Sequence, residues 1–186
     1  MWFRCLFQYD KASLEKDNDK NVLWINANGK KLPFRNNSFN SLYMTLVIHQ
    51  IQNREEALRD IYRVLKINGR VVILTNSHAR LKRHLLSHFP GVIKKDLERL
   101  PTISTIKKIM KSIGFLQIEY EPIEYNECIS RDEFIDRVQN KYISTLTLFN
   151  EKEFQRRFKI FKNKILEKYG DEIIRHSGFD FVIGIK

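Results

Sequence analysis

The sequence predicts an α/β domain, and three observations predict it. Short apolar runs alternate with stretches of helical period along the whole chain. Helix starts are marked by capping signals of the Asn/Ser-x-x-Glu kind, at Asn53 with Glu56, Ser130 with Glu133, and Asn150 with Glu153. Only seven glycines and four prolines punctuate 186 residues, with no internal repeat or low-complexity segment.

The elements follow in order. Trp2 to Tyr9 is an apolar run that ends at Asp10 and reads as a strand. Residues 11–20 are polar and fit a short helix. Val22-Leu23-Trp24-Ile25 is a second strand. A third runs from Phe39 to Val47, entered through the turn-forming Asn36-Asn37-Ser38. The helix capped by Asn53 places Ala57, Leu58, Ile61, Val64 and Leu65 on one face. It is expected to end at Asn68-Gly69, the two residue types that best tolerate a left-handed C-terminal turn. Val71 to Leu74 then reads as a fully buried strand.

Residues 78–100 are helical and basic. A clear helix carries Ile106, Ile109, Met110 and Ile113 and stops at Gly114, and Phe115 to Ile123 reads as a strand. Ser130 opens a further helix and Asn150 the last one. The apolar face of the last is Phe154, Phe158, Phe161, Ile165 and Tyr169, and Gly170 ends it. Phe179 to Ile185 is the final strand.

Composition narrows the functional classes. With 42% apolar and 30% charged residues the chain is ordinary globular material, neither disordered nor a disulfide scaffold. No apolar run approaches ~18 residues, so no transmembrane segment is expected. The start is too short an apolar stretch for a signal peptide. Cys5 and Cys128 give neither a disulfide framework nor metal-ligand spacing, and a cytoplasmic location with no metal site is expected. The 33 Lys and Arg against 22 Asp and Glu give a net charge of +11. That charge permits a nucleic acid or an anionic surface as partner. A competing reading is compositional bias, because Asn, Lys and Ile are abundant throughout.

Three separated segments are more specific. Ala27-Asn28-Gly29-Lys30-Lys31-Leu32-Pro33-Phe34 is followed by Asn37-Ser38-Phe39-Asn40. Then come Leu46-Val47-Ile48-His49-Gln50-Ile51 and Arg63-Val64-Leu65-Lys66-Ile67-Asn68-Gly69. In this order they resemble the class I SAM-dependent methyltransferases of the type 11, small-molecule kind. The resemblance implies a Rossmann-like sheet with helices on both faces and a helical insertion before the last strand. It implies S-adenosyl-L-methionine as cofactor and a small-molecule methyl acceptor. The family's sheet order is 3-2-1-4-5-7-6, and ligands of such sheets sit at the carboxyl ends of parallel strands.

Mapped residue by residue, the resemblance assigns cofactor contacts to Asp10, Asn28, Gly29, Leu32, Thr45, Leu46 and His49. Asp10 matches an acid that accepts from the ribose hydroxyls. Asn28 stands where the family has Asp at the adenine edge, with Gly29 beside it, although Asn-Gly is also a plain turn dipeptide. Thr45 and Leu46 end the strand bordering the methionine portion. His49 matches the first of a His-His pair, of which Gln50 replaces the second. It also reads as a structural histidine. No catalytic residue is assigned, because methyl transfer needs mainly proximity and orientation. Tyr43, Tyr120, Tyr125 and His49 are candidates for the acceptor side, and the phenylalanines at 149, 154, 158 and 161 for an apolar acceptor wall or for core.

The family's first strand, Gly-x-Gly-x-Gly loop and first helix have no counterpart, since Gly29 is the first glycine. The chain is therefore expected to be a single truncated domain. Residues 1–76 would carry the cofactor-side motifs, 77–129 basic helices and a strand, 130–170 the insertion, and 177–186 the last strand. The Trp2–Tyr9 strand is expected to move against the Phe39–Val47 strand, leaving a compressed cofactor cleft. Two alternatives stay open: a non-catalytic methyltransferase-like remnant, and a basic module for RNA or a membrane surface.

Overall fold

A computed structural model describes Ala27, Gly29 and residues 31–186. The strands expected at Trp2–Tyr9 and Val22–Ile25, the helix at 11–20, and Asp10 and Asn28 lie outside the described residues. The chain divides into two compact units. The first holds the described residues up to Thr75, then Pro101–Pro122 and Asp180–Lys186. The second holds Asn76–Leu100 and Ile123–Phe179.

In the first unit, β1 (Phe39–Thr45) runs parallel to β2 (Leu65–Thr75), joined through α1 (Arg54–Val64). β4 (Glu172–Ile185) pairs antiparallel with β2, and β3 (Leu116–Ser130) follows it, giving the order β1-β2-β4-β3. This is the 4-5-7-6 portion of the expected sheet order.

The register explains the core. Met44 sits opposite Ile73, and Ile73 opposite Val182; Leu42 sits opposite Val71, and Val71 opposite Gly184. Because side chains alternate along a strand, these two rows share a face. α1 and α4 (Ile103–Ile113) contribute Leu58, Ile61, Ile106 and Met110 to the same buried cluster. Gly184 makes room for α4, since a Cβ there would collide with the Met110 methyl and crowd Phe115.

The end of α1 differs from expectation. α1 ends at Val64, and Leu65 is already extended with φ −69° and ψ 140°. Phe39 pairs with Leu65 and Ser41 with Arg70, so two residues of advance on β1 face five on β2. Residues 66–69 lie opposite Asn40 alone, a surplus of three that bulges out, and in it Asn68 takes φ 60°. Gly69 does not cap the helix. It is needed because a Cβ there would lie 2.7 Å from the Lys66 carbonyl oxygen and 3.1 Å from that of Phe39. The Asn68 N–H donates to the Lys186 carbonyl, and the Lys186 N–H donates to that of Gly69, tying the bulge to the C-terminus. α4 does end as expected, at Gly114 with φ 112°.

The second unit is mostly helical. It contains α2 (His78–Arg83), a 3-10 turn at Leu85–His88, α3 (Val92–Arg99), α5 (Arg131–Gln139) and α6 (Glu151–Lys168). Ser130 accepts from the Glu133 N–H and Asn150 from the Glu153 N–H, as the sequence predicts. α6 is closed by the extended Tyr169 rather than by Gly170. Phe89 lies 5.6 Å from the Phe149 and Phe154 rings and 5.8 Å from Phe161. These rings, with Phe134 and Phe158, are buried as the centre of this unit. They are core and not an open acceptor wall.

Candidate functional site

The sequence-assigned residues that the structure describes are Gly29, Leu32, Thr45, Leu46 and His49. Thr45, Leu46 and His49 come together at the carboxyl edge of the parallel pair β1 and β2. Thr45 is the last residue of β1 and is exposed. Leu46 adopts φ 51°, an uncommon conformation for a branched side chain. Its N–H donates to the Leu74 carbonyl at 2.9 Å, fixing the reversal to the end of β2. The chain then makes a one-turn 3-10 helix, Ile48–Gln50, carrying His49 half-buried. Ile48 is anchored in the core, and its carbonyl accepts from Arg54 Nε at 3.1 Å. The loop is thus pinned at both ends, and its middle residues face a sheet edge. A strained backbone held by its surroundings is what binding sites commonly contain.

Two polar groups at this edge escape sequence reading. Thr75 ends β2; its Oγ1 is buried and has no hydrogen-bond partner. Its cross-strand neighbour Asp180 is fully buried, and Tyr120 Oη donates to Asp180 Oδ1 at 2.7 Å. The one sequence signal for Asp180 is that it is the only charged residue in the run from Phe179 to Ile185. Buried polar groups are normally satisfied, so the lone Thr75 hydroxyl is notable.

Gly29 and Leu32 belong to a second feature. Gly29 is buried in a turn. Leu32 is 5% exposed and packs into the first core cluster. Its backbone is committed as well: the Leu32 N–H donates to Asp60 Oδ2 at 2.6 Å, and its carbonyl accepts from Arg63 Nη2 at 3.1 Å. Arg63 Nη1 also donates to the Phe34 carbonyl at 2.7 Å and to Asn36 Oδ1 at 3.0 Å. Asp60 and Arg63 pair at 2.6 Å one turn apart on α1. The Asp60 carboxylate holds the guanidinium of Arg63 above its ordinary pKa. The segment 32–36 is therefore clamped to α1 by an Arg fork, whose rigid donors suit two carbonyls at once. Among the described residues no group of three or more His, Cys, Asp or Glu is placed to hold a metal.

Parallel strands feeding a pinned loop at their carboxyl edge, within the order β1-β2-β4-β3, are the fold of the class I SAM-dependent methyltransferases. Residues 4–89 match the model of the ubiE/COQ5 methyltransferase family. A ubiquinone/menaquinone biosynthesis C-methyltransferase UbiE of Citrobacter koseri is 27% identical over 120 residues, covering 54% of this chain and 48% of that protein. The chain spans about half the length of the curated relatives it matches. Among solved structures, one described as a methyltransferase of an antibiotic biosynthesis pathway from Anabaena variabilis superposes with TM-score 0.68 at 17% identity. It covers 89% of this chain and 74% of that one. A phosphoethanolamine N-methyltransferase 2 of Haemonchus contortus, solved with S-adenosyl-L-methionine, has TM-score 0.53 at 20% identity. It covers 94% of this chain and 39% of that one. Among the described residues no helix is long and apolar enough to cross a membrane.

Proposed function

We propose that this chain works as a SAM-dependent methyltransferase on a small-molecule acceptor of the quinone class, from a cytoplasmic location. The observation that carries the reading is the pinned left-handed Leu46 at the carboxyl edge of β1 and β2. It lies within the segment that matches the ubiE/COQ5 family. The quinone class is supported by what the Citrobacter relative is named for.

The residues at this edge fit such a cofactor. S-adenosyl-L-methionine presents polar groups at both ends of a cationic sulfonium centre, and when bound it would supply an electrophilic methyl group and leave as the neutral thioether. Thr45 offers an exposed neutral hydroxyl, and Leu46 offers apolar surface. His49 stands one short turn away. Gly29 and Asn28 are assigned to the adenine side and Asp10 to the ribose. Leu32 stiffens that side from behind through the Arg63 clamp. These residues bind and orient; none is assigned a proton transfer.

The chain has no Gly-x-Gly-x-Gly segment. This favours a second reading, a methyltransferase-like protein that does not turn over. The test is incubation of the full chain with SAM labelled in its methyl group and a water-soluble demethylated quinone. Label in the quinone, abolished by excess S-adenosylhomocysteine, is the expected result. Saturable S-adenosylhomocysteine binding with no label in any quinone would overturn the activity and leave the second reading.

A further inference from the structure

We propose that the outward face of α6 docks the protein onto an anionic lipid bilayer. The inference stands on this helix alone and not on methyl transfer, so either can fail without the other.

The inner face of α6 is spent on the core through Phe154, Phe158, Phe161 and Ile165. The outer face carries Lys152, Arg156 and Lys159 at spacings of four and three, which aligns them. Lys162 lies beside them. Of the three acids of the helix, Glu151 and Glu153 are engaged elsewhere and Glu167 lies near its C-terminal end. Glu151 pairs with Lys141 at 2.8 Å, and Glu153 faces Arg157 at 3.9 Å. Among the described residues, Lys152, Arg156, Lys159 and Lys162 have neither an ion-pair nor a hydrogen-bond partner.

Two large aliphatic side chains interrupt this cationic face. Ile160 and Leu166 are each 42% exposed, one turn on from Arg156 and Lys162 respectively. At the end of the helix, Lys164 and Lys168 flank His88 around a recess of about 460 Å³ that Glu167 also lines. Its two lysines would face an anionic headgroup.

Cations alone would suit any polyanion. Exposed aliphatic residues among them suit a bilayer, where the cations meet headgroups and the aliphatics enter the acyl boundary. A nucleic acid would instead use aromatic stacking, and every phenylalanine of α6 is buried.

The test is flotation of the full chain with vesicles of phosphatidylcholine alone or with 30% phosphatidylglycerol. Three variants are compared: R156E/K159E/K162E, R156Q/K159Q/K162Q, and I160S/L166S. All these positions are exposed, so each variant should keep the parent circular dichroism spectrum. Binding to the anionic vesicles only is expected. Each cation near such a surface is worth roughly fivefold in affinity, so neutralising three should weaken binding by ~100-fold. The I160S/L166S variant should lose binding at high salt, where the apolar contribution remains. Equal flotation with both vesicle types overturns the proposal. So does an unchanged I160S/L166S variant. Tighter binding to single-stranded RNA, insensitive to I160S/L166S, overturns it in favour of nucleic acid.

Discussion

Replacing Arg63 by Ala removes donated bonds to four partners at once: Asp60, the Leu32 and Phe34 carbonyls, and Asn36. The Asp60 carboxylate, 13% exposed, would keep only the Leu32 N–H as a donor among these partners. A hydrogen bond involving a charged group contributes ~1.5–3 kcal/mol, and the full set would sum to much more. The Arg63 side chain is 32% exposed, so water replaces part of what is lost. An overall cost of about 2–3 kcal/mol follows. Urea unfolding of R63A should show the lowered stability, and hydrogen exchange should show faster exchange at Leu32 and Phe34 than in α4. R63K keeps the charge without the fork and should recover less than half of the loss. An R63A variant within about 0.5 kcal/mol of the parent, with unchanged exchange at Leu32, would refute the clamp.

Further outcomes follow from the same structure. Phe161→Ala empties the centre of the aromatic cluster and should cost ~3–5 kcal/mol by thermal or urea denaturation, with near-ultraviolet dichroism lost first from its ring neighbours. Gly69→Ala places a methyl against three backbone oxygens and should cost ~1–3 kcal/mol, whereas Gly170→Ala, with open space around it, should change little. Burial, with Arg175 adding repulsion and Glu127 opposing it, lowers the His84 imidazole to about 4, and its Nδ1 accepts the Leu86 N–H. Above pH ~6.5 both folded and unfolded forms are neutral there. As pH falls from ~6.5 to 4 only the unfolded chain takes the proton, so about 2–3 kcal/mol of stability is lost over that window. A urea series at pH 7, 5.5 and 4 should show this decline, and His84→Asn should flatten it.

Local signals were readable in the sequence. Asn53, Ser130 and Asn150 cap the helices expected of them, because a cap depends on residues three positions apart. Gly114 closes α4 for the same reason. The strand order agrees with the family resemblance, which rests on motif order and not on periodicity. What was not legible depends on distant partners. Asn68-Gly69 looks like a helix end, but its conformation is set by the β1 backbone and by Lys186. The Arg63 clamp joins residues about 30 positions apart. Thr75 and Asp180 meet only through β2–β4 pairing, and the lone charge of Asp180 in an apolar run says nothing of its partner. Leu32, assigned a cofactor contact by the resemblance, packs in the first core cluster. The phenylalanines of α6 follow the core reading because their helical spacing closes on Phe89 and Phe134.

The most direct test of the central claim is calorimetric titration of the full chain with S-adenosylhomocysteine, beside the variants Leu46→Pro and His49→Ala. Each missing hydrogen bond of ~1.4 kcal/mol weakens binding tenfold, so a site without its Gly-rich loop should bind about 100-fold below a micromolar level, near 0.1 mM. The account predicts saturable binding of that order, lost in L46P and weakened in H49A. Micromolar binding would contradict the expectation of a compressed cleft. No heat at millimolar ligand, or binding unaffected by both variants, would contradict the site itself.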